Sequence, residues 1–486
     1  MRSFSLLLTA FILISACKSE KQPDFSEDIS AVENGLLPAL LEDGDSTTRY
    51  SLMDRMEHFN VPGVSIAVVR NGKLEWARAY GTANTESGQA VDTATLFQAG
   101  SISKPVAALA ALQLWEQGRV DLDTDVTAYL QSWKLPDTVY SDSAKVTLRM
   151  LLTHTGGTTV HGFPGYAQSE EFPSDIEVLD GLGNTDPIRV DTIPGTRWRY
   201  SGGGYTIMER VVEDVSGETF EAYMARHILP QLGMVHSTYQ QPLQAPYTAN
   251  ASAAYDGDGE LYEGYWHNYP EQAAAGLWTT PADLAAYCIA VQEILAGKRG
   301  GPVSEATVAA MLTKHQNDWG LGPALRREGD SLLFGHGGKN AGFTNNMIAA
   351  ARQGFAIIVM TSADQGGALM SEVIRGASEH YKWGLDAPRR VRLIGLSEGD
   401  LQQWAGRYLL DFQVPDVGGD YWIEVSVKEG KLFVDDTNNG QQQYLSPRDT
   451  LEFLDMENGD EVYLKMQDGQ AELTFNGRYR FVRVVE

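Results

Sequence analysis

The chain has 486 residues, 43% of them apolar, and 38 Lys and Arg against 64 Asp and Glu give it a formal net charge of −26. That length admits two or three domains with a large core, and the apolar share excludes a disordered polymer. The clustered Lys and Arg that drive binding to phosphate backbones are missing, which argues against a nucleic-acid partner.

Residues 1–17 read as a targeting segment rather than as fold. Arg2 supplies a positive start, Leu6 to Ser15 an apolar run too short to span a bilayer, and Ile14-Ser15-Ala16-Cys17 a small-residue end. This end resembles a bacterial lipoprotein signal, which implies lipidation at Cys17 and a place in the cell envelope, periplasmic or on the outer-membrane face, with the membrane reached through the lipid alone. An ordinary signal peptide with a chance cysteine is the alternative. With Cys17 acylated, Cys288 has no partner for an internal disulfide, and its apolar run from Leu284 to Ile289 suits a small buried hydrophobe. Residues 18–46, polar and acidic, read as a tether.

Residues 47–385 form the next expected domain. Thr48 to Asn60 predicts a helix, and Val64 to Val69 followed by Lys73 to Tyr80 predicts two strands joined at Asn71-Gly72, a dipeptide suited to the positive φ of a tight hairpin turn. The stretch Phe97-Gln98-Ala99-Gly100-Ser101-Ile102-Ser103-Lys104-Pro105 feeds a short strand into a helix beginning at about Ile102. That helix is apolar on nearly every face from Ala107 to Gln117, with Gly118 as its stop. Val146 to Gly157 predicts a short helix and a glycine loop, and Gly203 to Ser216 and Phe220 to Leu229 two further helices. Strands return at Leu332 to His336, Gly342 to Ala349 and Phe355 to Thr361, and a helix from about Gly367 to Trp383 closes the domain. Hairpins at both ends with helices between them imply an antiparallel sheet covered by helices, early and late strands side by side.

Residues 398–486 change character. Short alternating runs, Tyr421 to Lys428, Lys431 to Asp435, Glu461 to Met466, Ala471 to Phe475 and Tyr479 to Val485, are separated by Glu429-Gly430, Asn458-Gly459, Asp468-Gly469 and Asn476-Gly477. The pattern predicts an all-β meander or small barrel with no catalytic constellation of its own. The fold class expected for the whole is therefore α+β, an antiparallel sheet flanked by helices plus a helical subdomain, followed by a small all-β barrel.

Chemistry concentrates at Ser101 and Lys104. Three apart on a helix they share a face, and an amine within hydrogen-bond reach can activate a serine hydroxyl that is otherwise a poor nucleophile. The spacing alone proves little, since Ser15 and Lys18 repeat it inside the targeting segment. Tyr200, where a loop meets a helix, offers a second proton-handling group, and His336-Gly337-Gly338, read as the end of a strand, leaves room for a substrate alongside. Taken singly, Tyr200 reads as a packing aromatic and His336 as a surface or core histidine. His154-Thr155-Gly156 reads as a structural turn, and Trp76, Trp115 and Trp278 as core. No metal-ligand spacing and no phosphate loop is present, so no cofactor is expected.

Joined in this order, the motifs resemble the serine β-lactamase and penicillin-binding-protein fold, in particular the group of class C β-lactamases, D-Ala-D-Ala carboxypeptidases, D-aminopeptidases and esterases. Ser101-Ile102-Ser103-Lys104 matches its first motif, Tyr200-Ser201-Gly202 takes the place of Tyr-x-Asn, and His336-Gly337-Gly338 that of Lys-Thr-Gly or His-x-Gly. Leu151 to Gly156 and Ala275 to Pro281 agree as accessory stretches, and the C-terminal part is similar to lipocalin-like β-domains attached to some members.

The resemblance implies acylation at Ser101, with Lys104 and Tyr200 sharing its proton. The backbone N–H groups of Ser101 and Lys339 would form an oxyanion hole, with His336 and Gly338 lining the substrate strand. A lysine or tyrosine does this near neutral pH only if its surroundings lower its pKa. Gly202 in place of Asn and His336 in place of Lys both favour a substrate other than a lactam. The expectation is a serine hydrolase acting through an acyl-enzyme on a small ester, D-amino-acid peptide or amide. A catalytically silent binder of cell-wall peptides and a true β-lactamase are the alternatives.

Overall fold

The computed structural model describes residues 24–411, 421–436, 442–467 and 469–484. The targeting segment with Cys17, and the first residues of the expected tether, lie outside them.

A seven-stranded sheet organises the larger domain, in the order Gln89–Ala90, Lys73–Asn84, Gly63–Arg70, Ala356–Thr361, Phe343–Ala350, Ser331–Asn340 and Ala324–Glu328. The expected hairpin turn is present, with Asn71 at φ 54° and Gly72 at φ 71°. The early and late strands are adjacent, Gly63–Arg70 pairing antiparallel with Ala356–Thr361 from Val69 opposite Ala356 to Val64 opposite Thr361. Side chains alternate across a strand, so each strand serves two cores. Ile358 and Met360 join Ala67 and Val69 beneath the helices Ser103–Glu116 and Pro281–Leu295. Ile357 and Val359 join Val64, Ile66 and Val68 on the opposite face, covered by the helices Ser26–Glu33, Leu52–His58 and Gly366–Tyr381.

The central helix Ser103–Glu116 buries every residue from Ser103 to Leu114. It lacks a polar face because it runs through the core, and its alanines allow the close approach that such a position demands. A 3-10 turn, Gly100–Ile102, precedes it, so Ser101 stands one turn before the α-helix proper.

Two expectations are corrected here. Residues 24–46 are not a tether: Ser26–Glu33 is helical, Ile29, Val32, Leu36, Leu37, Leu40 and Leu41 are buried, and Leu40–Glu42 pairs in parallel with Arg389–Val391. These sparse apolar residues, diluted by acidic neighbours in the sequence, close the outer face of the sheet. His336-Gly337-Gly338 does not end its strand either. The ladder continues through Lys339 opposite Thr344 to Asn340 opposite Phe343.

The C-terminal part is a closed eight-stranded antiparallel barrel, sealed where Gly406–Leu410 pairs with Tyr479–Arg483. Three of its strands, Gly406–Leu410, Gln442–Pro447 and Glu452–Asp455, are absent from the sequence reading because each is short and sets its apolar residues side by side, as in Tyr408-Leu409-Leu410 and Phe453-Leu454, rather than in alternation. Trp404, Tyr408, Phe453, Leu432, Leu445 and Leu473 fill the interior, which is a packed core. No helix among the described residues is long and apolar enough to cross a membrane.

Candidate active site

Ser101 and Lys104 meet as their spacing requires. Lys104 Nζ donates to Ser101 Oγ at 2.9 Å and to the Ala274 carbonyl at 2.8 Å. The lysine is 2% exposed, and burial brings its pKa down to about 7, because taking the ammonium out of water disfavours the charged form.

Tyr200 is set at the head of the helix Gly202–Ser216 by its neighbour. The Ser201 hydroxyl caps that helix, accepting the Gly204 N–H at 3.0 Å and donating to Thr159 O at 2.8 Å. The Tyr200 ring lies 5.0 Å from Lys104 Nζ. Burial pushes the Tyr200 pKa above its ordinary value, and the neighbouring Ser101 side chain offsets this only in part. The two proton-handling groups are thereby distinguished, Lys104 uncharged above about pH 7 and Tyr200 retaining its proton.

His336 is 8% exposed, with Nδ1 2.5 Å from Gly337 O and Nε2 3.5 Å from the Tyr200 hydroxyl. A proton on Nδ1 donated to that carbonyl leaves Nε2 as an acceptor. Burial, with Lys104 nearby, lowers its pKa to about 3, so the ring is neutral. The Lys339 ammonium turns aside to Asp364, which it meets in an ion pair, while its backbone lies against the serine turn. Gly100 has φ 53°, and a Cβ there would sit 2.5 Å from Lys339 N; a Cβ on Gly338 would fall 2.0 Å from Ala99 O. These glycines permit the approach of turn to strand.

The structure thus brings Ser101, Lys104, Tyr200 and His336 together and sets the Gly338 and Lys339 backbone against the serine turn. Several neighbours escaped the sequence reading. Trp319 stands 5.8 Å from Tyr200 and 5.4 Å from His336 by ring centroids; its signal was an isolated Trp in the polar loop His315 to Gly320. His154 does occupy a turn, at φ 57°, but its ring also lies 4.2 Å from that of Tyr200 and its Nδ1 accepts the Ser201 N–H at 3.1 Å. The place a side chain at 202 would take is filled, since a Cβ on Gly202 would lie 2.8 Å from Phe163 Cε2 and 3.1 Å from His161 O. Among the described residues no group of three His, Cys, Asp or Glu is placed to hold a metal ion.

The chain is 30% identical over 184 residues to the putative penicillin-binding protein PbpX of Bacillus subtilis (strain 168), covering 37% of this chain and 43% of that one. It is 29% identical over 181 residues to the esterase EstB of Burkholderia gladioli, 35% of this chain and 45% of the relative. The matches thus span less than half the length of these relatives. Among solved structures, the octameric penicillin-binding protein homologue from Pyrococcus abyssi superposes with a TM-score of 0.58 at 21% identity, over 89% of this chain and 98% of that one, a likeness of fold. Residues 52–380 match the Beta-lactamase family, and the chain belongs to that family.

Proposed function

We propose that the protein is a serine hydrolase that acylates Ser101, with small uncharged esters as its preferred substrates. The observation that carries this reading is the buried amine of Lys104, 2.9 Å from Ser101 Oγ with its pKa brought down to about 7. Lys104 takes the hydroxyl proton as Oγ attacks the substrate carbonyl, and Tyr200 passes a proton to the departing alkoxide. Water then enters by the same route in reverse to release the acid. The backbone N–H groups of Ser101 and Lys339 face the developing oxyanion.

The charge of the site supports an ester over a substrate bearing a carboxylate. His336 is neutral, Lys339 is held by Asp364, and Arg199 is bound to Asp191 and to the carbonyls of Gly157 and Thr158. Gly202 carries no side chain where the motif has asparagine, and a Cβ there would lie 2.8 Å from Phe163 Cε2, so the position offers no amide donor to a lactam or peptide amide. D-amino-acid peptides and amides, lactams, and silent binding of cell-wall peptides are the competing readings. A turnover screen of p-nitrophenyl esters, D-amino-acid amides, D-Ala-D-Ala peptides and nitrocefin separates them. Ester hydrolysis exceeding nitrocefin hydrolysis is expected; the reverse order contradicts the substrate reading.

We also place the protein in the bacterial envelope, held by lipid on Cys17, on the strength of the sequence of residues 1–17. Metabolic labelling with a fatty acid, lost in Cys17→Ala, is the expected result; equal labelling of the variant contradicts it.

A further inference from the structure

Glu209 sits on the helix Gly202–Ser216, nine residues beyond Tyr200, and is 2% exposed. Its Oε2 accepts the backbone N–H of Ala273 at 2.7 Å. Ala273 belongs to the single turn Gln272–Ala275, which has no side-chain cap from its own N-cap residue. The carbonyl of the next residue, Ala274, accepts from Lys104 Nζ at 2.8 Å. Two buried hydrogen bonds therefore connect the helix headed by Tyr200 with the amine that faces Ser101.

A one-turn helix leaves its leading N–H groups without internal partners. Ala273 and Ala274 are fully buried, so solvent does not supply the missing acceptor, and Glu209 does. Around Glu209 stand Asp175, Arg210 and Glu271; Arg210 in turn is paired with Asp175 at 3.2 Å and with Glu213. Burial among these acids holds the Glu209 carboxyl well above its ordinary range, and the oxygen that accepts the Ala273 N–H is one that a glutamine amide oxygen can imitate. Around Lys104 stand His154, His161 and His336 and the rings of Tyr200 and Tyr205.

We propose that Glu209 is a positioning residue: by holding the Ala273 N–H it fixes the Ala274 carbonyl against Lys104 and keeps the amine aimed at Ser101 in register with Tyr200. This role rests on the reading of Ser101 as the acylated serine. It also explains how Lys104 stays dry, since the turn Gln272–Ala275 is the wall behind the amine, and burial is the cause of its lowered pKa.

The test is the rate at which a fluorophosphonate labels Ser101 in the full chain, measured across about pH 5 to 10, together with thermal melts. The wild-type rate should rise through about pH 7. Glu209→Gln should keep that midpoint and stay within about 2-fold in rate, since its amide oxygen accepts the same N–H. Glu209→Met, similar in length but without an acceptor, should label at least about 10-fold more slowly at pH 7. Its midpoint should move up by about one unit, as water reaches Lys104. Glu209→Asp, whose carboxyl stops about one methylene short (~1.5 Å) of Ala273, should behave like Glu209→Met and decides the matter if the methionine variant does not fold. A purely structural role would lower the melting temperature while leaving midpoint and rate unchanged in the folded variants, and that result overturns the proposal. So does a folded Glu209→Gln that shifts as Glu209→Met does. Labelling of Ser101→Ala at the wild-type rate overturns instead the reading of Ser101 on which the role depends.

Discussion

Lys104 is a lysine held where a lysine is costly. Its pKa falls from 10.5 to about 7 on burial, so the unfolded chain binds more protons than the native one between those values and stability from this group rises with pH across that window. Below about pH 7 the full cost of the buried ammonium is present, on the order of a few kcal/mol. Lys104→Met should therefore melt at a higher temperature than wild type near neutral pH, lose that advantage above about pH 10, and abolish turnover. Thermal melts against pH, with activity on the same samples, check this. Tyr200→Phe keeps the ring against His154 and removes only the proton donor; kcat should fall by about 10²–10⁴-fold with little change in melting temperature. Spacing and motif order made Ser101, Lys104, Tyr200 and His336 legible in the sequence. Phe163, Trp319 and Glu209 were not legible, because they arrive on loops or act through another residue's backbone, contacts that no local pattern encodes.

At the scale of elements, the site depends on how closely the serine turn approaches the strand Ser331–Asn340. Gly338→Ala would place a methyl 2.0 Å from Ala99 O, so turn or strand must shift. Labelling of Ser101 should fall at least about 10-fold while most of the sheet survives, because small displacements at a reacting centre are costly; fluorophosphonate labelling kinetics and circular dichroism measure the two effects. The sequence revealed the hairpin at Asn71-Gly72, the apolar central helix and the late strands because each carries a clear period or turn pair. It misread the extent of the strand at His336, where glycines that signal a break instead admit the backbone of Ala99. It also misread residues 24–46, whose few apolar side chains find partners only when distant helices assemble.

The whole molecule joins two domains through that N-terminal segment. Leu40, Val391 and Leu454 pack together, Ala39 N–H donates to Glu457 O at 3.0 Å, and Leu40 N–H to Met456 O at 3.1 Å. Arg55, 6% exposed and lying between the rings of Tyr50 and Phe59, ties Glu372 of the larger domain at 2.7 Å to Glu457 of the barrel at 3.3 Å. These contacts lie with the helices covering the outer face of the sheet, opposite the central helix that carries Lys104. Arg55→Leu strands a buried Glu372, and should cost about 3–5 kcal/mol in denaturant unfolding while leaving the labelling rate of the folded protein unchanged. A small barrel was legible from its turns, but its mode of attachment, resting on single side chains far apart in the chain, was not.

The central claim is that Ser101 forms an acyl-enzyme, and intact-protein mass spectrometry after exposure to a fluorophosphonate tests it most directly. One adduct per chain is expected, mapped to Ser101, and absent from a folded Ser101→Ala variant. A folded wild-type protein that takes no label, or a Ser101→Ala variant labelled to the same extent, would contradict it.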